Sequence, residues 1–293
     1  MRVLELFAGI GGFASAFPNL EIVHAVDIDQ TAACVYSANF PGTYSIKEIA
    51  SLPLSWFDQQ GADLWWMSPP CTPFSQRGNQ MDLDDPRSSA IKHLIHTVAA
   101  IRPSMVCLEN VVGFERSRTF AHLNQEWTRI GYSIQTLILC PTELGWPNRR
   151  PRVYCIASLK QQEAFRPPKY KPIPLSHFLD LTLTPGSQPS LWLDQKTSSR
   201  YLAAMDRVTT TSESSVTACF AASYGKAIVR SGSYLDTPWG YRRFSPREVA
   251  RLLGFDDAFV LPDTLSFARQ WHLLGNSLSL PALRHALSGV LHP

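Results

Sequence analysis

The stretch from Trp65 to Asn79, W-W-M-S-P-P-C-T-P-F-S-Q-R-G-N, does most to limit what this chain can fold into. An apolar run of strand length, Asp63-Leu64-Trp65-Trp66-Met67, ends abruptly at Ser68-Pro69-Pro70. Paired prolines cannot donate to a sheet ladder, and each biases the residue before it away from helix. Cys71 follows at once, so a thiol stands at the mouth of a loop beyond a strand's carboxyl end. That is where open α/β sheets bind ligands. Taken alone, such a cysteine is better read as a small buried apolar residue.

The rest of the chain decides between these readings. Its 293 residues suffice for one large domain, or a large and a small one. With 45% hydrophobic and 17% charged residues it can bury a full core. A net charge of only +3 means that a nucleic-acid partner must be held by a local basic patch. The six scattered cysteines contain no C-x-x-C pair, so neither a metal site nor a disulfide scaffold is expected, and a reducing cytoplasm suits them. With no apolar signal core and no long apolar segment, a soluble protein without a membrane partner is expected.

Val3, Leu4, Leu6 and Phe7 predict a short buried strand. Phe7-Ala8-Gly9-Ile10-Gly11-Gly12 then forms a glycine turn into a helix, where backbone N–H groups can approach a ligand. A second strand over Ile22 to Val26 ends in Asp27-Ile28-Asp29. An acid at that tip suits ribose hydroxyls and Ile28 suits an adenine face, although Asp27 or Asp29 should also cap the helix Gln30 to Asn39. Helices are expected from Asp84 to about Ile101, with Ile91, Leu94, Ile95 and Val98 on one face, and from Phe120 to Ile130. Met105 to Leu108 reads as a buried strand. Ser133 to Leu139 and Arg152 to Ala157 read as a partly antiparallel sheet edge. The fold class is α/β, a doubly wound and mostly parallel sheet, with a second, smaller domain. Prolines crowd the segment from Arg166 to Pro189. We therefore expect a catalytic domain over 1–160 plus 245–293 and a small recognition domain over 161–244. Ser245-Pro246 opens a helix, and a last helix spans Leu280 to Leu291.

F-A-G-I-G-G, D-I-D, S-P-P-C, Glu109-Asn110-Val111, Asn148-Arg149-Arg150-Pro151-Arg152 and Gly275-Asn276-Ser277 occur in the order and approximate spacing of cytosine-5 methyltransferase motifs. The chain resembles that family over nearly its whole length. The resemblance implies S-adenosylmethionine as cofactor, held by Phe7, Ala8, Gly9, Gly11, Gly12, Asp27, Ile28, Ser45, Ile46, Pro70, Asn276 and Ser277. It also gives Cys71, Glu109, Arg150 and Arg152 catalytic roles. The chemistry agrees: carbon 5 of cytosine is a poor nucleophile until a thiolate adds at carbon 6. Charge then building on the ring is relieved at N3 by a carboxyl such as Glu109, if its pKa is raised so that it stays protonated. Arg150 and Arg152 would hold the base carbonyl and a phosphate, and would orient Glu109 or Cys71. The bland alternatives are a helix-capping Glu109 and solvated arginines.

Three local segments look like the small subfamily that methylates an anticodon-loop cytosine of tRNA. They are Glu109-Asn110-Val111-Val112-Gly113-Phe114-Glu115-Arg116-Ser117, Cys140-Pro141-Thr142-Glu143-Leu144-Gly145-Trp146-Pro147-Asn148, and Cys219-Phe220-Ala221 with Tyr224-Gly225. Ala221 departs from that subfamily's threonine. Substrate contacts are then expected from Pro69, Ser75, Arg77, Asn110, Cys219, Phe220 and Tyr224, though Cys219-Phe220 reads equally as a buried pair in the small domain. An anticodon loop is partly unstacked, so extruding its base costs less than breaking a duplex pair. The expectation is a monomeric tRNA methyltransferase, with double-stranded DNA as alternative substrate and a silent nucleic-acid-binding homologue as the other class. The loop 72–87 is expected to move without substrate.

Overall fold

The computed structural model describes residues 1–71, 82, 85–160, 170–210, 212 and 214–291. Among these, seven strands form one sheet: β1 (Arg2–Leu6), β2 (Glu21–Asp27), β3 (Tyr44–Ile46), β4 (Leu64–Met67), β5 (Met105–Val111), β6 (Ser133–Leu139) and β7 (Arg152–Ser158). Their order is β3-β2-β1-β4-β5-β7-β6. The first five run parallel, while β7 is antiparallel to both β5 and β6. The expected partly antiparallel edge is therefore present. From β1 the chain winds outward to β3 and then returns to β4 on β1's other side. The direction of winding reverses between β1 and β4, the position at which doubly wound sheets open a crevice beyond their carboxyl ends.

The central strands are apolar on both faces, as parallel strands covered on two sides must be. The two tryptophans of β4 show this directly, because successive side chains alternate faces. Trp65 packs on Phe57 of α3 (Leu54–Gln60), with ring centroids 5.2 Å apart, and Trp66 on Phe13 at 5.0 Å. Phe13 belongs to α1 (Gly12–Ala16), and α2 (Gln30–Asn39) starts where expected. In α4 (Ser89–Ile101) the buried face contains the predicted Ile91, Leu94, Ile95 and Val98. Its first turn, Pro86–Ser88, is a tighter 3-10 turn with Asp85 accepting from the Arg87 N–H. Ser117 caps α5 (Arg118–Arg129), which starts two residues before the predicted Phe120.

Inside β1, Glu5 is buried and accepts a hydrogen bond of 2.8 Å from the Tyr36 hydroxyl. Burial pushes its pKa up to about 8, opposed by the Tyr36 hydroxyl and by backbone amides of Ala14 and Phe13. A folded-state value above the unfolded one stabilises the protein at low pH, and that stability is lost as pH rises through about 8. Glu5→Gln, neutral at every pH, is therefore expected to melt progressively higher than wild type between pH 5 and pH 8. The spread should be on the order of 4 kcal/mol. Equal melting differences at both ends would show that Glu5 is not neutral in the fold.

The chain divides into two compact units. One comprises Met1–Leu139, Pro151–Pro167 and Leu283–Pro293, and the other Cys140–Arg150 and Pro168–Ala282. The second contains α6 (Gln195–Tyr201), a sheet ordered β10-β9-β8 from β8 (Asp206–Val208), β9 (Ser233–Thr237) and β10 (Gly240–Arg243), then α7 (Pro246–Leu253) and α8 (Phe267–Gly275). α7 and α8 thus fall outside the unit expected for 245–293. Their contacts explain it. Arg242 of β10 forms a bidentate ion pair with Glu248 of α7, and Trp271 of α8 donates to the Phe244 carbonyl and packs edge-on against Tyr224. Ser245 and Glu248 complete a capping box at the start of α7, as the Ser-Pro-x-Glu spacing suggests. The last helix, α9 (Leu280–Leu287), stops short of Leu291 in a Ser288 turn. Its Arg284 donates to the carbonyls of Ser15 and Ala16 at the end of α1.

Candidate active site

In the first unit the site grows from the carboxyl ends of β1, β2, β4 and β5. After β1 the backbone turns sharply, with positive φ at Phe7, Gly9 and Gly11. At Gly11 a β-carbon would strike the Phe40 ring, whereas Gly9 has open space around it. Asp27 holds this turn: one carboxylate oxygen accepts from the Gly9 N–H at 2.8 Å, and the other from Ile28 and Asp29 at 2.6 and 3.0 Å. Asp29, not Asp27, caps α2 by accepting from Thr31 and Ala32. Ile28 and Ile46 are 66% and 50% exposed, and Ile46 pairs in register with Asp27. Two exposed β-branched residues beside a tethered glycine turn suit a flat heteroaromatic ring. Ser45 shares a hydrogen bond of 2.8 Å with His24. We expect Asp27→Ala to weaken cofactor affinity about tenfold while the melting point moves little, since the Gly9 N–H of the turn would lose its carboxylate acceptor. Calorimetric titration would check it, and unchanged affinity would remove Asp27 from the site.

The Ser68-to-Cys71 turn after β4 is pinned on two sides. The Ser68 hydroxyl donates to the Phe7 carbonyl at 3.0 Å, and the Asn110 amide to the Pro69 carbonyl at 3.0 Å. Asn110 is buried and its own oxygen accepts from the Val111 N–H, so it orients the turn instead of meeting substrate as expected. Pro69 is likewise buried; Pro70 and Cys71 are exposed. Ser68 was not singled out in the sequence, although a hydroxyl just before a proline pair is a candidate for fixing the turn's entry. Ser75 and Arg77 lie outside the described residues, as does most of the 72–87 loop.

Glu109 stands in β5 opposite Tyr154 of β7, and Arg152 stands opposite Val111. Residues two apart on a strand share a face, so Arg152 is the diagonal neighbour of Glu109. Its Nε lies 3.0 Å from a Glu109 oxygen, with both side chains largely buried. Arg152 is thus placed to orient Glu109, as the family resemblance implies. Asn148, Arg150, Cys219, Phe220, Tyr224, Asn276 and Ser277 belong to the second unit. There Phe220 and Tyr224 are core residues, packed edge-on with centroids 4.9 Å apart. The Tyr224 hydroxyl donates to the Ser233 carbonyl and accepts from the Phe244 N–H. Both were expected to touch substrate; a small unit instead uses its large rings as core. Cys219 is half-buried. Arg150 is buried with its guanidinium turned to protein acceptors, not outward to a base or phosphate. Ser277 is buried and Asn276 exposed at the end of α8.

The family model for C-5 cytosine-specific DNA methylase matches residues 1–185 and 187–291. A Bos taurus tRNA (cytosine(38)-C(5))-methyltransferase is 29% identical over 96% of each chain. A Dictyostelium discoideum DNA (cytosine-5)-methyltransferase is 26% identical, over 100% of this chain and 95% of that one. The structure of the Entamoeba histolytica methyltransferase EhMeth superposes with a TM-score of 0.90 at 25% identity, covering 100% of this chain and 99% of that one. With the proline-flanked cysteine, the Glu109–Arg152 pair and the tethered glycine turn in one unit, the chain belongs to the C-5 cytosine methyltransferase family.

Proposed function

We propose that this enzyme methylates carbon 5 of a cytosine in a tRNA anticodon loop. The observation that carries the choice of tRNA is the full-length similarity to the bovine tRNA enzyme, 29% over 96% of both chains. The family uses S-adenosylmethionine, and the residues at the sheet's carboxyl edge fit it. In this reading Phe7 to Gly12 approach it with backbone, Asp27 fixes the turn that does so, Ile28 and Ile46 flank its adenine, and Ser45 and Pro70 border it. Asn276 and Ser277 are assigned to the same cofactor through the family motif. Bound there, the cofactor supplies an electrophilic methyl group.

The protein's own residues do the rest. The Cys71 sulfur adds to carbon 6 of the extruded cytosine, which makes carbon 5 nucleophilic. Glu109 and Arg152 face the ring together, the carboxyl toward N3 and the guanidinium toward the carbonyl. As charge grows on the ring, the guanidinium that held the carboxylate is drawn to the base, which raises the carboxyl's affinity for a proton. After methylation, loss of the carbon 5 proton expels the Cys71 sulfur and restores the ring.

Labelled S-adenosylmethionine offered with total small RNA and with genomic DNA, side by side and with Cys71→Ala as blank, tests the reading. Label confined to the tRNA band is the expected result. Label in DNA would move the enzyme to the alternative substrate that the family model's description favours, and label in neither would favour a silent nucleic-acid-binding homologue.

A further inference from the structure

Within the second unit, the segment Pro147–Arg150 is zipped to Thr217–Phe220. The Arg149 N–H donates to the Thr217 carbonyl at 2.8 Å, and the Thr217 N–H to the Pro147 carbonyl at 2.9 Å. The Asn148 amide donates to the Thr217 hydroxyl and to the Ala218 carbonyl at 2.9 and 3.1 Å. Arg150 closes this arrangement. Its Nη1 donates to the Phe220 carbonyl and the Cys219 sulfur, each at 3.3 Å, and its Nη2 to the Gly275 carbonyl at 3.2 Å and to the Ser277 carbonyl. On the far side, a β-carbon on Gly275 would overlap the backbone of Ala221 and Ala222, and His272 approaches the Ala222 carbonyl at 3.2 Å. The strip Cys219–Ala222 therefore runs in a fitted slot between Asn148–Arg150 and the end of α8.

A guanidinium has five N–H groups. Four contacts engage those on Nη1 and Nη2, and Nε is buried without a partner among the described residues. At 3% exposure nothing remains to reach a phosphate or a base. We propose that Arg150 is a positioning residue: it fixes the Cys219–Phe220 strip to the Gly275–Ser277 turn so that the Cys219 thiol is presented in one orientation. Only a planar fork can serve four acceptors spread over two segments, and a lysine ammonium cannot. What the strip does toward RNA rests on the tRNA reading; the staple itself does not.

The test uses the full chain as Arg150→Lys and Arg150→Gln. N-ethylmaleimide labelling is followed at Cys219, with exposed Cys34 and buried Cys107 as internal references. The salt dependence of tRNA binding is measured alongside. Expected in both variants is Cys219 labelling changed about tenfold relative to Cys34, with Cys107 still protected, an unchanged salt slope, and no rescue of turnover by lysine. If Arg150 contacts a phosphate instead, Arg150→Gln lowers the salt slope by roughly 0.7–0.9, Arg150→Lys restores it, and the Cys219 ratio stays at its wild-type value. Labelling of Cys107 in both variants would mean that Arg150 merely supports the fold, which also overturns the proposal. A wild-type protein that binds no tRNA would count against the tRNA reading alone, and the labelling ratios would still decide this one.

Discussion

Cys71→Ala is expected to lower methyl transfer by roughly four orders of magnitude or more, while affinity for S-adenosylmethionine stays within about twofold. The separation of the two effects follows from how the turn is held. Its backbone is fixed by Asn110 at the Pro69 carbonyl and by Ser68 at the Phe7 carbonyl, and neither bond involves the thiol. The side chain itself is exposed, so alanine removes the nucleophile without opening a cavity. Single-turnover transfer and calorimetric cofactor titration on one preparation read both quantities. Loss of cofactor binding together with turnover would make Cys71 a structural residue.

The second large effect is on stability. Glu248 is fully buried and accepts from both Nη atoms of Arg242 at 2.7 and 2.8 Å, from the Ser245 N–H at 2.7 Å and from the Asp180 N–H at 3.0 Å. Arg242 is itself buried, with the Trp192 ring beneath its guanidinium. Glu248→Ala strands that cation and two backbone donors, so a loss of about 3–5 kcal/mol is expected in chemical denaturation. Replacing both partners, as Arg242→Met with Glu248→Leu, should recover most of it, because the cost lies in the unpaired charge. A double variant as unstable as the single one would show that the pair's hydrogen bonds to Ser245 and Asp180 carry the stability instead.

Much of this was legible in the sequence, and the reasons differ by element. The parallel strands β1, β4 and β5 announce themselves as apolar runs closed by glycine or proline, and the buried face of α4 follows from its period. Cys71, Glu109 and Arg152 fall where motif order places them. Side-chain direction was harder to read. Asn110 and Arg150 stand in functional motifs, yet the Asn110 amide nitrogen and the Arg150 Nη groups donate to acceptors 41 to 127 positions away. No local pattern reports such partners. Phe220 and Tyr224 took a substrate role only through the subfamily resemblance, and the small unit's core claims both rings. Strands β8 to β10 were missed because three to five residues carry too little alternation to register.

The boundary between the compact units falls between Arg150 and Pro151, inside one five-residue motif. Arg150 serves the second unit, and Arg152, two residues on, serves the first. The second unit is also assembled from two separate stretches of chain. The second unit is consequently not a cassette held in one stretch of chain. A chimera that exchanges only 168–282 between relatives would install a foreign Cys219 strip against the host's Asn148 and Arg150. An exchange that keeps the second unit intact must carry 140–150 along with it, and the splice then falls at the Arg150–Pro151 peptide bond.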